Sequence, residues 1–400
     1  MPIARLCATT LFAAGALASQ AQTKPPSGRG AGRAGRPMAT PVNALRSPEV
    51  NPDRSVTLRF HAPEATAVQL TGEINLGKPP QPLTKGEDGI WSITVGPLPP
   101  EIWSYNFRVQ GIDIPDPSNP AIKPVPPGYA MSSFVEVPGD QPAFYDSRPV
   151  PHGEVRMLLY ESKSLGTTRW LWIYTPPNYD AGAAKYPVLY LLHGNGEAQN
   201  GWVMNGRANI ILDNLIADGK ARPMIMVMPQ GHALQGAGVD PLYRIPGETT
   251  MFSDRFPKDL LDEIIPLVEH RYRVIADADH RAIAGLSMGG GQSLTIGLMH
   301  PELFHYVLGY SAALGARFTS SDDVLKQLAK APAAFNAKVH LVWVSAGRQD
   351  FLHQADKDFA EALTAEGIKT VFHETEGAHV WSVWRNNLYD TAPMLFNTRQ

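Results

Sequence analysis

Arg281-Ala-Ile-Ala-Gly-Leu-Ser-Met-Gly-Gly-Gly291 is the stretch on which the reading of this chain turns. Residues 282–286 form an apolar run of strand length, and Gly285-Leu286-Ser287-Met288-Gly289 completes it as G-x-S-x-G. In that pattern the serine sits at a sharp strand-to-helix corner. Glycines flank it because side chains there would collide with the neighbouring strand and helix. Residues 292–299 have helical spacing and end at His300-Pro301, as the position before a proline disfavours helix. The pentapeptide alone is weakly specific; the strand before it and the helix after it give it weight. The Ser287 hydroxyl is expected to stand clear of the sheet edge.

Outward from this corner, strands and helices alternate from about residue 152 to the end. Strand-length apolar runs lie at 169–174, 187–192, 224–228, 307–311 and 339–344, and residues 210–215, 256–272 and 359–363 carry helical spacing. Continuous apolar strands alternating with helices predict an α/β fold, a doubly wound, mostly parallel sheet covered on both faces. A serine is a poor nucleophile unless a base lies in hydrogen-bond reach and a carboxylate orients that base. In doubly wound hydrolase sheets those partners follow in the order serine, acid, histidine. Asp350 follows the strand 339–344 and its Ser345-Ala-Gly-Arg-Gln exit, and His379 lies in Glu376-Gly-Ala-His after the strand 370–373. Both fall at the carboxyl edge, where catalytic loops of open α/β sheets gather. Asp356 and Asp358 fall too far into the next helix and are expected to be solvated helix charges. His373 is within its strand, and His340 and His353 have no motif around them. Backbone donors for an oxyanion are expected at Met288 and at Gly194 or Asn195, with His193 bracing that loop.

A length of 400 residues with 44% hydrophobic and 18% charged content allows two ordered units. The net charge of −3 supplies no basic field, so neither nucleic acid nor an anionic membrane is indicated as a partner. Residues 1–21, with Arg5, an apolar stretch 6–18 and Ser19-Gln20-Ala21, have the form of a secretory signal peptide, too short to span a bilayer. Secretion or a periplasmic location is the expectation, with no membrane association after cleavage. The single cysteine, Cys7, lies inside that segment, so thiolate nucleophiles and thiolate metal sites are excluded from the mature chain. No H-x-x-x-H occurs, and no metal or cofactor is expected.

Residues 22–44, rich in Pro, Gly, Arg and Ala, are a flexible tether. From 45 to 140 the period changes to two. Val56, Leu58 and Phe60 alternate with polar residues, Trp91, Ile93 and Val95 do the same after Asp88-Gly89, and Trp103, Tyr105, Phe107 and Val109 follow. This predicts a small all-β, immunoglobulin-like sandwich, with the proline-dense 113–120 as a loop. Trp91 and Trp103 are expected in its core rather than as sugar platforms.

The sandwich resembles early-set modules related to glycogen-binding domains, through Ser47-Pro-Glu-Val, Val56-Thr-Leu-Arg-Phe, Gly89-Ile-Trp and Asp116-Pro-Ser-Asn-Pro. The region 150–398 resembles secreted carbohydrate esterases of the feruloyl and acetyl-xylan type, which include esterase-D-like enzymes. Leu191-Leu-His-Gly, Gly206-Arg-Ala-Asn with Asp213-Asn-Leu, Phe256-Pro-Lys-Asp-Leu-Leu with Ile264-Ile-Pro, the Ser287 corner and Gly377-Ala-His-Val-Trp-Ser-Val-Trp-Arg385 carry that likeness. The resemblance implies an α/β-hydrolase fold and carries Ser287, Asp350 and His379 over as the triad, in agreement with the reading of the residues. Segment 233–251 is longer than the pattern and matches nothing in it.

The expectation is a secreted serine esterase acting on acylated plant polysaccharide through an acyl-enzyme. An acyltransferase on the same scaffold and a decayed carbohydrate-binding protein are the alternatives, the second disfavoured by the intact serine, acid and histidine. Trp202, Trp381, Trp384 and Phe351 lie near the site in sequence. Trp202 and Trp381 are expected to line the pocket and Trp384 to be core, which favours flat hydroxycinnamoyl over acetyl groups. The sandwich carries no candidate catalytic group, so its deletion is expected to spare turnover of small esters.

Overall fold

Alternating side chains build the front of the chain as read. In strand 56–61 Val56, Leu58 and Phe60 point inward, and strand 90–95 pairs with it through Trp91 opposite Phe60. These strands, with 49–50 and 84–85, make a four-stranded sheet; strands 68–71, 81–82, 101–109, 112–114, 122–123 and 132–137 make the other. Their inner faces share one core of Val56, Leu58, Trp91, Leu70, Tyr105 and Phe107. Trp91 is buried, and Trp103 packs against the same core. The 113–120 loop is held by a buried carboxylate. Asp116 accepts hydrogen bonds from the Ser47 hydroxyl at 2.6 Å and the Tyr105 hydroxyl at 2.8 Å, which ties together two of the sequence motifs.

The computed structural model describes residues 45–123, 131–233, 255–314 and 321–397. The expected signal peptide 1–21, the tether 22–44 and all but the first residue of the unmatched 233–251 lie outside the described residues. Among the described residues no helix is long and apolar enough to cross a membrane.

The second half is an eight-stranded sheet. Its strands are β1 (Glu154–Ser162), β2 (Thr167–Thr175), β3 (Val188–Leu192), β4 (Ile225–Pro229), β5 (Arg281–Leu286), β6 (Tyr306–Tyr310), β7 (Leu341–Gly347) and β8 (Val371–Thr375). Their spatial order is β1-β2-β4-β3-β5-β6-β7-β8. β1, which the apolar-run reading missed because its exposed edge alternates, pairs antiparallel with β2, and β2 pairs antiparallel with β4. From β4 onward neighbours are parallel. Strands β3 to β6 are buried at every residue, and successive side chains go to opposite faces. Tyr190, Leu192, Ile225, Val227 and Ile283 join one core with Phe256, Leu260 and Leu294. Leu189, Leu191, Met226, Met228 and Ala284 join the other with helices α1 (Ala208–Ala217) and α4 (Trp381–Thr391). Helices α2 (Met288–Met299) and α3 (His353–Ala365) cover the first face. Period two within a continuously apolar strand is what a sheet covered on both faces requires.

Strand 101–109 is buried on both faces, unlike the half-solvated strand that its alternation suggested. Tyr105 and Phe107 face the sandwich core, whereas Ile102 belongs to the apolar cluster that contains Trp381 and Trp384. Ion pairs ring this contact: Glu101 with Arg385 at 2.5 Å, Lys123 with Glu197 at 2.6 Å and Glu136 with Arg207 at 2.5 Å. Asp213, from one of the sequence motifs, accepts hydrogen bonds from the Tyr174 hydroxyl and the Gly153 amide, and Asn214 donates to the Phe144 and Asp146 carbonyls. The motif therefore holds the connection between the two halves, which together form one compact unit.

Candidate active site

Four loops meet at the carboxyl edge of the parallel strands, after β3, β5, β7 and β8. Ser287, between β5 and α2, has φ 51° and ψ −117°, a conformation that side chains rarely adopt. Its strain is held by the Ser287 amide donating to the Tyr310 carbonyl at 2.9 Å and by the Ala313 amide donating to the Ser287 carbonyl at 2.9 Å. The corner is tight on the far side as well. A Cβ on Gly289 would come within 2.5 Å of the His193 carbonyl oxygen. Gly289→Ala is therefore expected to push α2 from the β3 loop at a cost of about 1–3 kcal/mol. Thermal melting with a steady-state assay checks this, and an unchanged Tm with unchanged kcat/KM refutes the tight-corner account.

The structure brings Ser287, His379 and Asp350 together. The Ser287 Oγ lies 3.0 Å from His379 Nε2, and His379 Nδ1 lies 2.9 and 3.1 Å from the two Asp350 oxygens. Burial pushes the Asp350 carboxyl up, but the hydrogen bond and charge of His379, the Leu352 amide and the Ser311 hydroxyl more than offset it, leaving it below the usual carboxylate range. Trp384 donates its indole N–H to Ser311 Oγ at 3.0 Å and packs edge-on against the His379 ring. Phe351 packs on the same imidazole, with ring centroids 4.7 Å apart, and is 77% exposed. With both rings against it the imidazole has little rotational freedom.

Gly194, Asn195 and Met288 line the cavity into which Ser287 opens. Met288 is the first residue of α2, where backbone N–H groups lack partners within the helix, so its amide is suited to a developing oxyanion. The opposite loop is braced from behind. His193 is held at both ring nitrogens: Nε2 lies 2.8 Å from the Gly231 amide and 2.6 Å from Gln230 Oε1, and Nδ1 lies 2.8 Å from the Gly194 carbonyl. Burial, with His232 nearby, pushes the His193 imidazole down to about 3, so it is neutral. His232 Nε2 lies 2.8 Å from the Asn195 carbonyl, and the fully buried Arg169 donates to the carbonyls of Gln230 and His232. In the sequence Arg169 only opens a strand-length apolar run, and nothing local joins it to residues 230–232.

Several expectations change. Trp202 and Trp381 are each 1% exposed and lie in the core, edge to face with each other. Their indole N–H groups point at the Leu192 carbonyl and at Glu197, so neither lines the cavity. Trp384 is buried, as expected, and also lines the cavity, together with Phe351. Proximity in sequence could not separate these faces, since α4 presents Trp381 inward and Trp384 toward His379. Asp356 is fully buried rather than solvated; it accepts the Ala312 amide at 2.8 Å and so supports the turn beneath Ser287. Burial raises its carboxyl well above the ordinary value. Finally, the cavity of about 400 Å³ is lined by Glu73 and Lys123 of the sandwich as well as by Ser287 and His379. The sandwich is part of the site.

At the amino edge of the same sheet Asp279, His305 and His340 cluster, with Asp279 Oδ1 2.7 Å from each imidazole. This ties the turn before β5 to the starts of β6 and β7, away from Ser287.

Comparison with known proteins agrees with this layout. An endo-1,4-β-xylanase/feruloyl esterase of Xylanibacter ruminicola is 32% identical over 360 residues, 87% of this chain and 46% of its own length. The chain thus spans less than half of that relative. A solved ferulic acid esterase, 30% identical, superposes with a TM-score of 0.52 over 61% of this chain and 97% of its own. The enterobactin esterase of Shigella flexneri, 20% identical, shares the fold over 86% of this chain and 93% of its own with a TM-score of 0.64. The Esterase family model matches residues 162–395, so this chain, with Ser287, His379 and Asp350 in contact at the sheet edge, belongs to the Esterase family.

Proposed function

We propose that the protein is a secreted serine carboxylic-ester hydrolase that removes hydroxycinnamoyl groups such as feruloyl from plant cell-wall polysaccharide. The observation that carries the chemistry is His379 bridging the Ser287 hydroxyl and the Asp350 carboxylate on the wall of a cavity. His379 Nε2 accepts the proton as Ser287 Oγ attacks the ester carbonyl. The oxyanion faces the amides of Met288 and of Gly194 or Asn195. His379 then protonates the leaving alcohol, and water repeats the sequence on the acyl-enzyme. Phe351 and Trp384 take the place of Trp202 and Trp381 as the aromatic surface for a planar acyl group. The relatives' names support the acyl class, and the proposed export rests on the character of residues 1–21. The test is kcat/KM for a feruloyl and an acetyl ester of one alcohol, in the wild type and in Phe351→Ala. A preference for feruloyl that shrinks in the variant is expected, whereas a preference for acetyl that Phe351→Ala leaves unchanged refutes the aromatic reading.

The base must be neutral to accept the serine proton, so kcat/KM is expected to fall on the acid side as the imidazole is protonated. Asp350, held below the usual carboxylate range, stays charged on that side, so loss of the triad acid is not what lowers the rate. A pH–rate profile checks this; a flat acid side excludes a histidine base.

A further inference from the structure

Among the described residues three charged side chains line the cavity beside Ser287, Glu73 and Lys123 from the sandwich and Glu197 from the loop after β3. Glu197 is already engaged by three donors: it accepts from Lys123 Nζ at 2.6 Å, from Trp381 Nε1 at 3.1 Å and from Asn205 Nδ2 at 2.6 Å. Glu73 is different. Among the described residues it forms no ion pair; the amide and hydroxyl of Ser104 and the charges of Lys123 and Arg385 act on it. Ionised, the carboxyl has roughly four lone-pair sites, so acceptor capacity remains on a side chain that faces the cavity.

The turn that carries Glu73 is rigid. Gly72 precedes it at φ 109°, and a Cβ there would come within 2.6 Å of the Ser104 carbonyl oxygen, so the turn is pressed directly on strand 101–109. Asn75, buried, donates to the Leu70 carbonyl at 2.8 Å and closes the turn from the other side. A side chain on such a support is positioned as a binding group is, rather than as a solvated surface charge.

We propose that Glu73 is a specificity-determining residue of the esterase site, accepting a hydrogen bond from a substrate hydroxyl at the end of the cavity that the sandwich supplies. Two carboxyls against one lining ammonium disfavour an anionic substrate end, and a carboxylate only accepts, so the matching group is a hydrogen-bond donor, which in a hydroxycinnamoyl ester of a sugar is a hydroxyl. Burial pushes the Glu73 carboxyl up, and Lys123, Ser104 and Arg385 offset only part of that. The hydroxyl has two chemical sources, the phenol of a hydroxycinnamoyl group or a hydroxyl of the sugar it esterifies. This inference rests on the proposed hydroxycinnamoyl esterase activity and makes the sandwich a contributor to substrate choice.

The experiment compares kcat/KM in the full chain for methyl p-coumarate against methyl cinnamate, which differ only in the phenol, and for a feruloylated arabinose against methyl ferulate, which differ in the sugar. In the wild type the hydroxyl-bearing partner of at least one pair is expected to be favoured by about tenfold or more, the worth of a hydrogen bond to a charged acceptor. Glu73→Ala is expected to collapse that ratio toward one, and Glu73→Gln, which keeps an acceptor oxygen, to retain part of it. The pair whose ratio collapses identifies the source. A role confined to folding would lower both members of each pair equally. If Glu73→Ala folds poorly, Glu73→Gln is read in its place. Ratios that both variants leave unchanged overturn the assignment of Glu73. Failure of the activity reading looks different, since the wild type would then hydrolyse acetyl esters and neither cinnamoyl ester.

Discussion

Ser287→Ala is expected to lower kcat by on the order of 10³-fold or more while leaving the melting temperature unchanged. The substitution removes one oxygen. What holds the corner is backbone: the Ser287 amide on the Tyr310 carbonyl, the Ser287 carbonyl on the Ala313 amide, and α2 packed on the β3 loop through Gly289. None of these needs the hydroxyl, so the fold is indifferent to its loss. Chemistry is not, because without Oγ there is no covalent route, and only the oxyanion donors and binding contacts remain. His379→Ala is expected to give a similar loss, and the double variant to be little worse than either single one, since the groups act as a unit. Steady-state kinetics and thermal melts of the three variants decide it. Near-normal ester hydrolysis by Ser287→Ala would place the nucleophile elsewhere.

Removal of the sandwich is expected to abolish efficient turnover even of small soluble esters. The fragment 141–400 would expose the apolar surface now covered by Ile102 and Phe134, beside Trp381, Trp384 and Tyr145. A contiguous patch of that kind is an association hazard. It would also strip Arg385 of Glu101 and Glu197 of Lys123, on the loop and helix that frame the cavity. α4 carries Trp384 against His379, so a small shift of this helix is felt at the base. Misplacement of about 1 Å at a reacting group is worth roughly a hundredfold in rate. The measurement is solubility, Tm and kcat/KM of the fragment for methyl ferulate. A soluble, cooperatively melting fragment with wild-type kcat/KM would show that the sandwich only accompanies the site.

Much of the site was legible because its pieces are local. The corner at Ser287 is decided within eleven residues, since glycine spacing and the strand-to-helix change are properties of adjacent side chains. Asp350 and His379 could be placed because parallel strands bring successive loop exits to one edge. The two faces of the sheet, and the sandwich core with Trp91 and Tyr105, followed from period and polarity in the same way.

Tertiary structure decided what depends on which face a side chain takes after packing. Trp202, Trp381 and Trp384 are equally aromatic, and each lies within seven residues of a site residue in the sequence. Packing buries all three, but the docking of α4 on the loop at Glu197 turns Trp381 away from the cavity and sets Trp384 against His379 on its wall. Asp356 has the spacing of a solvated helix charge and is buried, because the Ala312 turn brings it an amide donor. Alternation in strand 101–109 shows two faces but not that both are covered. Only contact between residues far apart in the chain, Ile102 with the α4 cluster and Lys123 with Glu197, makes the sandwich a wall of the site, and such pairing leaves no local periodicity to read.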